Sequence, residues 1–213
     1  MSETIDDLLR SLKVTAGSRF NAAKRLSHID KWMTTLTSFA SAYLILLAVG
    51  PSLLSLPGRY EPWVDMFTVA ISVLLLASSV SSYSAGYAVK AEQHHRSALE
   101  IQELRRELRF IGESVGTDQL IRISQSYNAI LQKYSINHDD ADFFRFQLEY
   151  PDIYQLNWFD RLRKTCTVIS AVHYPAAALV IITGIVMGFS TFVVASEVYK
   201  PPSHFISPVQ PNG

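Results

Sequence analysis

Two long stretches without a charged residue, Trp32 to Gly58 and Met66 to Val89, are joined by the linker Arg59 to Asp65. Few folds accommodate such a pair. A helix of about 20 apolar residues crosses the roughly 30 Å hydrocarbon core of a bilayer, and each stretch reaches that length. Lipid offers no partners to backbone N–H and C=O groups, so neighbouring segments of this kind are best satisfied as two helices folded back on one another. Residues 32–89 are therefore expected to form a transmembrane helical hairpin in an all-α membrane protein.

Charge is segregated around the hairpin, falling almost entirely in residues 1–31 and between Lys90 and Lys164. Lys+Arg and Asp+Glu balance at 19 each, which gives no electrostatic case for nucleic acid as a partner. Glu3, Asp6 and Asp7 make the start acidic and the first apolar run begins late, which is not the layout of a signal peptide. A single cysteine, Cys166, permits no internal disulfide, and no Cys/His spacing points to zinc.

Orientation follows from the basic residues. Arg10, Lys13, Arg19, Lys24, Arg25 and Lys31 precede the first stretch, whereas the linker carries Arg59 balanced by Glu61 and Asp65. The positive-inside rule then places the amino terminus in the cytoplasm. Residues 1–31 read as a cytoplasmic amphipathic helix leading into the membrane. Pro57, Gly58 and Pro62 punctuate the external turn, with Trp63 at the interface, and the chain returns to the cytoplasm at Lys90.

Hydroxyl and small side chains gather at one depth of the hairpin. Thr34, Thr35, Thr37, Ser38 and Ser41 fill the cytoplasmic half of the first stretch; Ser78, Ser79, Ser81, Ser82, Ser84 and Gly86 fill that of the second. Close helix packing accounts for them, since small residues let backbones approach and Ser or Thr can bond back to the i−4 carbonyl. The alternative is that Ser38, Ser41, Ser78, Ser79, Ser82 and Gly86 line a water-filled path once several hairpins assemble.

Residues 90–164 read as a cytoplasmic helical region. Ile101, Leu104, Leu108 and Ile111 recur at three and four residues, and Leu120, Ile123, Tyr127, Ile130 and Tyr134 repeat the pattern, so two amphipathic helices are expected. Gly112 and Gly116 mark the break between them, and Thr117 or Asp118 is placed to cap the second. These stripes serve either an intramolecular bundle or oligomerisation through coiled-coil-like seams, with Ile101, Leu104 and Leu108 as the assembly candidates. His94 and His95 read as solvated helix residues sensitive to pH.

The order of these features resembles the SLATT family, the two-transmembrane effector domains of bacterial nucleotide-dependent defence systems. The likeness begins at "SRFNAAKRLSHIDKWMTTLTSFASAYLIL", with Arg19, Asn21, Ala22, Lys24, Arg25 and Leu26 leading into the first span. It continues through the serine-rich second span, then "HHRSALEIQELRREL" and the tyrosine-bearing helix before "YSINHDDADF", covering residues 15 to 160. The resemblance implies a multi-pass effector of the cell inner membrane that oligomerises and forms a pore or disrupts the bilayer when triggered in antiphage defence. It implies lipid, further copies of the chain and a nucleotide-sensing or nucleotide-synthesising protein as partners. No GxGxxG motif, P-loop or strand-rich segment marks a fused sensor. A membrane scaffold recruiting a cytoplasmic partner is the alternative. No catalytic residue, cofactor or metal is expected, because no nucleophile, base and orienting group can be assembled from these motifs.

One stretch exceeds a two-span pattern. Thr165 to Ser196 is free of Asp, Glu, Lys and Arg and follows Trp158, Phe159, Arg161, Arg163 and Lys164, the composition of an inner-interface anchor. A third transmembrane helix over 165–196 is expected, with the proline-bearing tail 197–213 outside and disordered. If Pro175 is the first helical position, His173 sits at the interface. Gly184 and Gly188 form a GxxxG pair suited to close helix contact and assembly. The cluster His138, Asp139, Asp140 and Asp142 reads as a helix N-terminus capped by Asn137 rather than a metal site, with Asp139 and Asp142 on one face. Phe143, Phe144, Phe146 and Tyr150 form an aromatic surface that packs on the bundle or lies on the inner leaflet.

Overall fold

The leading helix and the first span are one element: α1 runs unbroken from Ser2 to Leu53. At 1.5 Å per residue it extends about 78 Å, more than twice the thickness of a hydrocarbon core. The computed structural model describes residues 2–53, 61–112, 116–151 and 153–198. The turn at Pro57 and Gly58 and the tail from 199 onward lie outside the described residues. Five further helices follow, α2 (Glu61–Ala85), α3 (Tyr87–Ile111), α4 (Thr117–Tyr134), α5 (Asp140–Glu149) and α6 (Trp158–Val198), with no strand among the described residues.

α1 pairs with α3 because both carry a seam of the same period. Leu12, Ala16, Arg19, Ala23 and Leu26 are buried on α1, and Ala91, His94, Ala98, Ile101 and Leu108 on α3, alternating in steps of three and four, with one seven-residue step from Ile101 to Leu108. The helices run antiparallel, as the contacts of Phe20 with His95 and Arg19 with Ser97 require. Ser18, Ala22, Ser97 and Ala98 are fully buried where the seams meet; such small side chains permit close approach. α4 closes the lower end of the pair. Ile5, Leu12, Ala16, Ile101, Leu108, Ile123 and Ile130 form one core, with Leu104, Ile111, Leu120, Tyr127 and Tyr134 packed against it. Both stripes read from the sequence are thus used inside the chain. Ile101 and Leu108 are wholly buried, so the structure gives them to the bundle rather than to a free seam.

α2 and α3 form a second column interrupted at Gly86. Its φ of 59° is a left-handed conformation, which glycine adopts without steric cost. The apolar reading carries the second span to Val89, but the helix breaks earlier, at Ala85. A Cβ at Gly86 would meet open space, so this glycine serves the backbone bend and not a close helix contact. The columns Thr4–Gly50 and Pro62–Ile111 each contain a segment long and apolar enough to cross a membrane. Ile45, Leu46, Val69, Val73, Leu74, Leu76 and Val80 point outward from them, more than half exposed. In water such a belt would be a large apolar patch; in lipid it is the ordinary surface. Among the described residues these are two candidate spans of a membrane protein.

α6 begins at Trp158 and continues through His173 and Pro175. This corrects the expectation that Pro175 opens the helix. It packs along α1, and the Tyr43 hydroxyl donates to Thr183 Oγ1 at 3.4 Å. The caps also differ from expectation. Gly116, not Thr117 or Asp118, is the N-cap of α4, its N–H donating to Gln119 Oε1 at 3.3 Å. Asp139, not Asn137, caps α5, its N–H donating to Asp142 Oδ2 at 3.1 Å.

Candidate functional site beneath the membrane helices

The residues that lead α1 into its apolar half form a buried polar collar with α3, α5 and the segment between α4 and α5. Arg25 donates from Nε to Asp142 Oδ1 at 2.8 Å and from Nη2 to Asp142 Oδ2 at 2.9 Å, and reaches Asp139 Oδ2 at 3.2 Å. This fork against a carboxylate is the geometry that makes Arg pairs both strong and specific. Asp142 is 2% exposed and Asp139 69%, so Asp142 carries the buried half of the pair. Asp142 holds two structures together, since the same carboxylate caps α5. Asn21 Nδ2 adds a bond to its backbone carbonyl at 3.4 Å. Asp139 stands outside α5 as its extended N-cap, so the two acids do not share a helical face as expected; Arg25 brings their carboxylates together instead.

One turn and a half earlier, Arg19 is buried without a carboxylate among the described residues. It donates to Ser97 Oγ on α3 and to the Ile136 carbonyl at 3.3 Å. The carbonyl is available because Ser135 ends α4 with a φ of 44°, turning the chain toward α1. Burial lowers the Arg19 pKa, while Tyr127 and Tyr134 oppose the shift. His94 lies in the same layer, 4% exposed with Nδ1 unpartnered. Burial, then the neighbouring Arg19 charge, pushes its pKa down to about 4, leaving a neutral imidazole at pH 7. The reading of His94 as solvated is therefore corrected, because its position on the α3 seam places it against α1. His95, one residue on, is exposed and meets Phe20 edge-on.

Aromatic groups continue the collar toward α6. Trp32 Nε1 donates to His28 Nε2 at 2.6 Å, and the His28 ring lies against that of His173 at 5.7 Å. Tyr87 and Tyr174 pair through their hydroxyls at 3.2 Å. On the α5 side Phe146 is 1% exposed, packed on Tyr150 and Tyr154, while Lys164 lies over the Phe144 ring. Bundle packing, rather than leaflet contact, accounts for Phe146. Between α1, α3 and the segment before α5 the collar leaves a cleft of about 500 Å³, lined by Arg25, Lys90, His94, Asn137, His138 and Tyr174 among others. No cluster of metal-binding side chains occurs among the described residues.

The hydroxyl-rich halves lie just above this collar. Thr34, Thr35, Thr37, Ser38 and Ser41 each donate to the carbonyl four residues earlier, at 2.9 to 3.0 Å. These groups are satisfied by their own helix and need no water. On α2 Ser78, Ser79 and Ser82 are half-buried, and Ser82 Oγ is enclosed without a partner. A Cβ added at Gly184 or Gly188 would meet nothing within 4 Å, so α6 presents that face outward in the single chain.

Sequence reasoning credited Arg19 and Arg25 to orientation and to the family likeness, not to packing. The signal for their structural role is positional: with Ala22, Leu26 and Ile29 they occupy one face of α1 at steps of three and four, where a solvated basic residue is not expected. Compared with known proteins, residues 1–189 match the family model described as SMODS and SLOG-associating 2TM effector domain family 5. No curated protein and no solved structure matches the chain.

Proposed function

Since the chain belongs to this family of two-transmembrane effector domains, tied to nucleotide-based defence systems, we propose that it is a membrane effector held quiet by its own collar. On a signal from a nucleotide-sensing or nucleotide-synthesising partner, copies assemble and breach the inner membrane. The observation that carries this reading is the continuity of α1, which is at once the central helix of the collar and the first span. A partner that loosens the Arg25–Asp142 grip acts directly on the membrane half of the same helix. The amino terminus lies in the cytoplasm in this reading, as the basic flank requires. α6 crosses as a third helix, supported by the Tyr43–Thr183 contact at the depth of the first span. The Ser78 and Ser79 face of α2 and the open Gly184–Gly188 face of α6 are the surfaces offered to neighbouring copies.

Dye release from vesicles containing the full chain tests the proposal. Asp142→Asn, which removes the charge that holds Arg25, is expected to raise release several-fold over the natural sequence. Charged substitutions at Ser78 and Ser79 in the same background should abolish the gain. A tight bilayer with every variant, together with stable capture of a cytoplasmic protein, would make the chain a scaffold instead.

A further inference from the structure

At the far end of the bundle from the membrane, α1 and α3 bring four cations to one cleft of about 460 Å³: Arg10, Lys13, Arg105 and Arg109, with Asp6 as the acid among its lining residues. None of the four makes an ion pair among the described residues. Arg105 Nε is buried and has no hydrogen-bond partner, and the Lys13 ammonium rests on the Tyr150 ring at 3.9 Å. Like charges gathered around one cleft repel. The pKa of Lys13 is lowered by burial and then by Arg105 and Arg109, and that of Arg105 by burial and then by Arg109. A folded chain keeps this arrangement at a cost that a bound anion would relieve, since guanidinium forks and a flexible ammonium are the groups that grip phosphate oxygens.

We infer that this cleft is a binding site for a small, multiply charged phosphate-bearing anion. The anion comes from solution and not from a lipid headgroup. Lys13 lies nineteen residues before Trp32, about 28 Å along α1, and Arg109 lies about 30 Å beyond Val89 along α3. Headgroups do not extend that far from the hydrocarbon boundary. The site is independent of whether the hairpin passes solutes, because it rests on the bundle alone.

Calorimetric titration of the full chain in neutral phosphatidylcholine nanodiscs, with inorganic triphosphate as the probe, tests this. One saturable site is expected, weakening steeply with added salt. Arg105→Gln and Lys13→Gln should each reduce affinity at least tenfold and Arg105→Lys by less than Arg105→Gln, since it keeps the charge but not the fork, with helicity by circular dichroism unchanged. Arg96→Gln, on the exposed Glu92 pair of α3, should leave it intact. Absence of saturable binding, or equal loss in Arg96→Gln, overturns the site. Discs containing anionic phosphatidylglycerol should bind triphosphate as the neutral ones do; competition by that lipid would assign the cleft to a headgroup and overturn the soluble source.

Discussion

Gly17 stands well inside α1, where alanine would favour the helix by about 1 kcal/mol. A Cβ there would overlap the Phe146 ring, which is itself fully buried. Gly17→Ala is therefore expected to destabilise the bundle, by about 1–3 kcal/mol in urea unfolding, and Phe146→Leu should recover part of that loss in the double variant. Stabilisation by the single change would remove the packing explanation. His94 makes a second prediction at this scale. Its folded pKa of about 4 lies below the ordinary 6.5, so the unfolded chain binds more protons between those values. Stability is then full above pH 6.5 and falls on acidification, by on the order of 3 kcal/mol once the lower pKa is passed. His138 is shifted in the same direction, chiefly by burial, and adds to the slope. Thermal melts should lose less between pH 6.5 and 4.5 in His94→Gln than in the natural chain; parallel slopes would show that the imidazole is not the group responsible. Neither residue was legible from composition. Gly17 reads as a mild helix defect until Phe146, more than a hundred positions away, is placed over it.

The helices themselves were more legible than their ends. Apolar period gave α3 and α4 because a helix buries one face, and that face is written in adjacent turns. Capping was misread at Asn137 and Thr117, where several competent residues stand in a row and the tertiary partner decides among them. Asp142 is the case in point: a carboxylate in the first turn of α5 satisfies the local rule wherever it stands, but Arg25 selects it. Removing one member of such a buried pair strands the other, at a typical cost of about 3–5 kcal/mol. Arg25→Met and Asp142→Leu should each destabilise the bundle by that order, and the double variant by clearly less than the sum. Additive losses would mean that the two side chains act separately.

Taken whole, the chain divides where the sequence divides, with charge below and apolar surface within the bilayer, because the hydrophobic requirement of lipid is written residue by residue. What the sequence did not disclose is how its parts are joined. The leading helix and first span looked like two segments because their compositions differ, yet backbone hydrogen bonding is indifferent to that boundary. Topology provides the prediction at this scale. With Cys166 replaced by serine, a cysteine at Ser203 should react with a membrane-impermeant maleimide from outside the cell, and one at Ser11 only after permeabilisation. Reaction of both from the same side would leave two spans and not three.

The two columns that run from bundle to bilayer also differ mechanically. α1 is a single strut, so a slide of one helical turn at its lower end, about 5.4 Å, arrives at the upper end undiminished. The neighbouring column is jointed at Gly86, where the backbone is already in a conformation that resists helical continuation. The two columns are thus joined to the bundle in different ways, and a side chain at Gly86 would strain that joint through its left-handed backbone alone, since a Cβ there meets nothing within 4 Å.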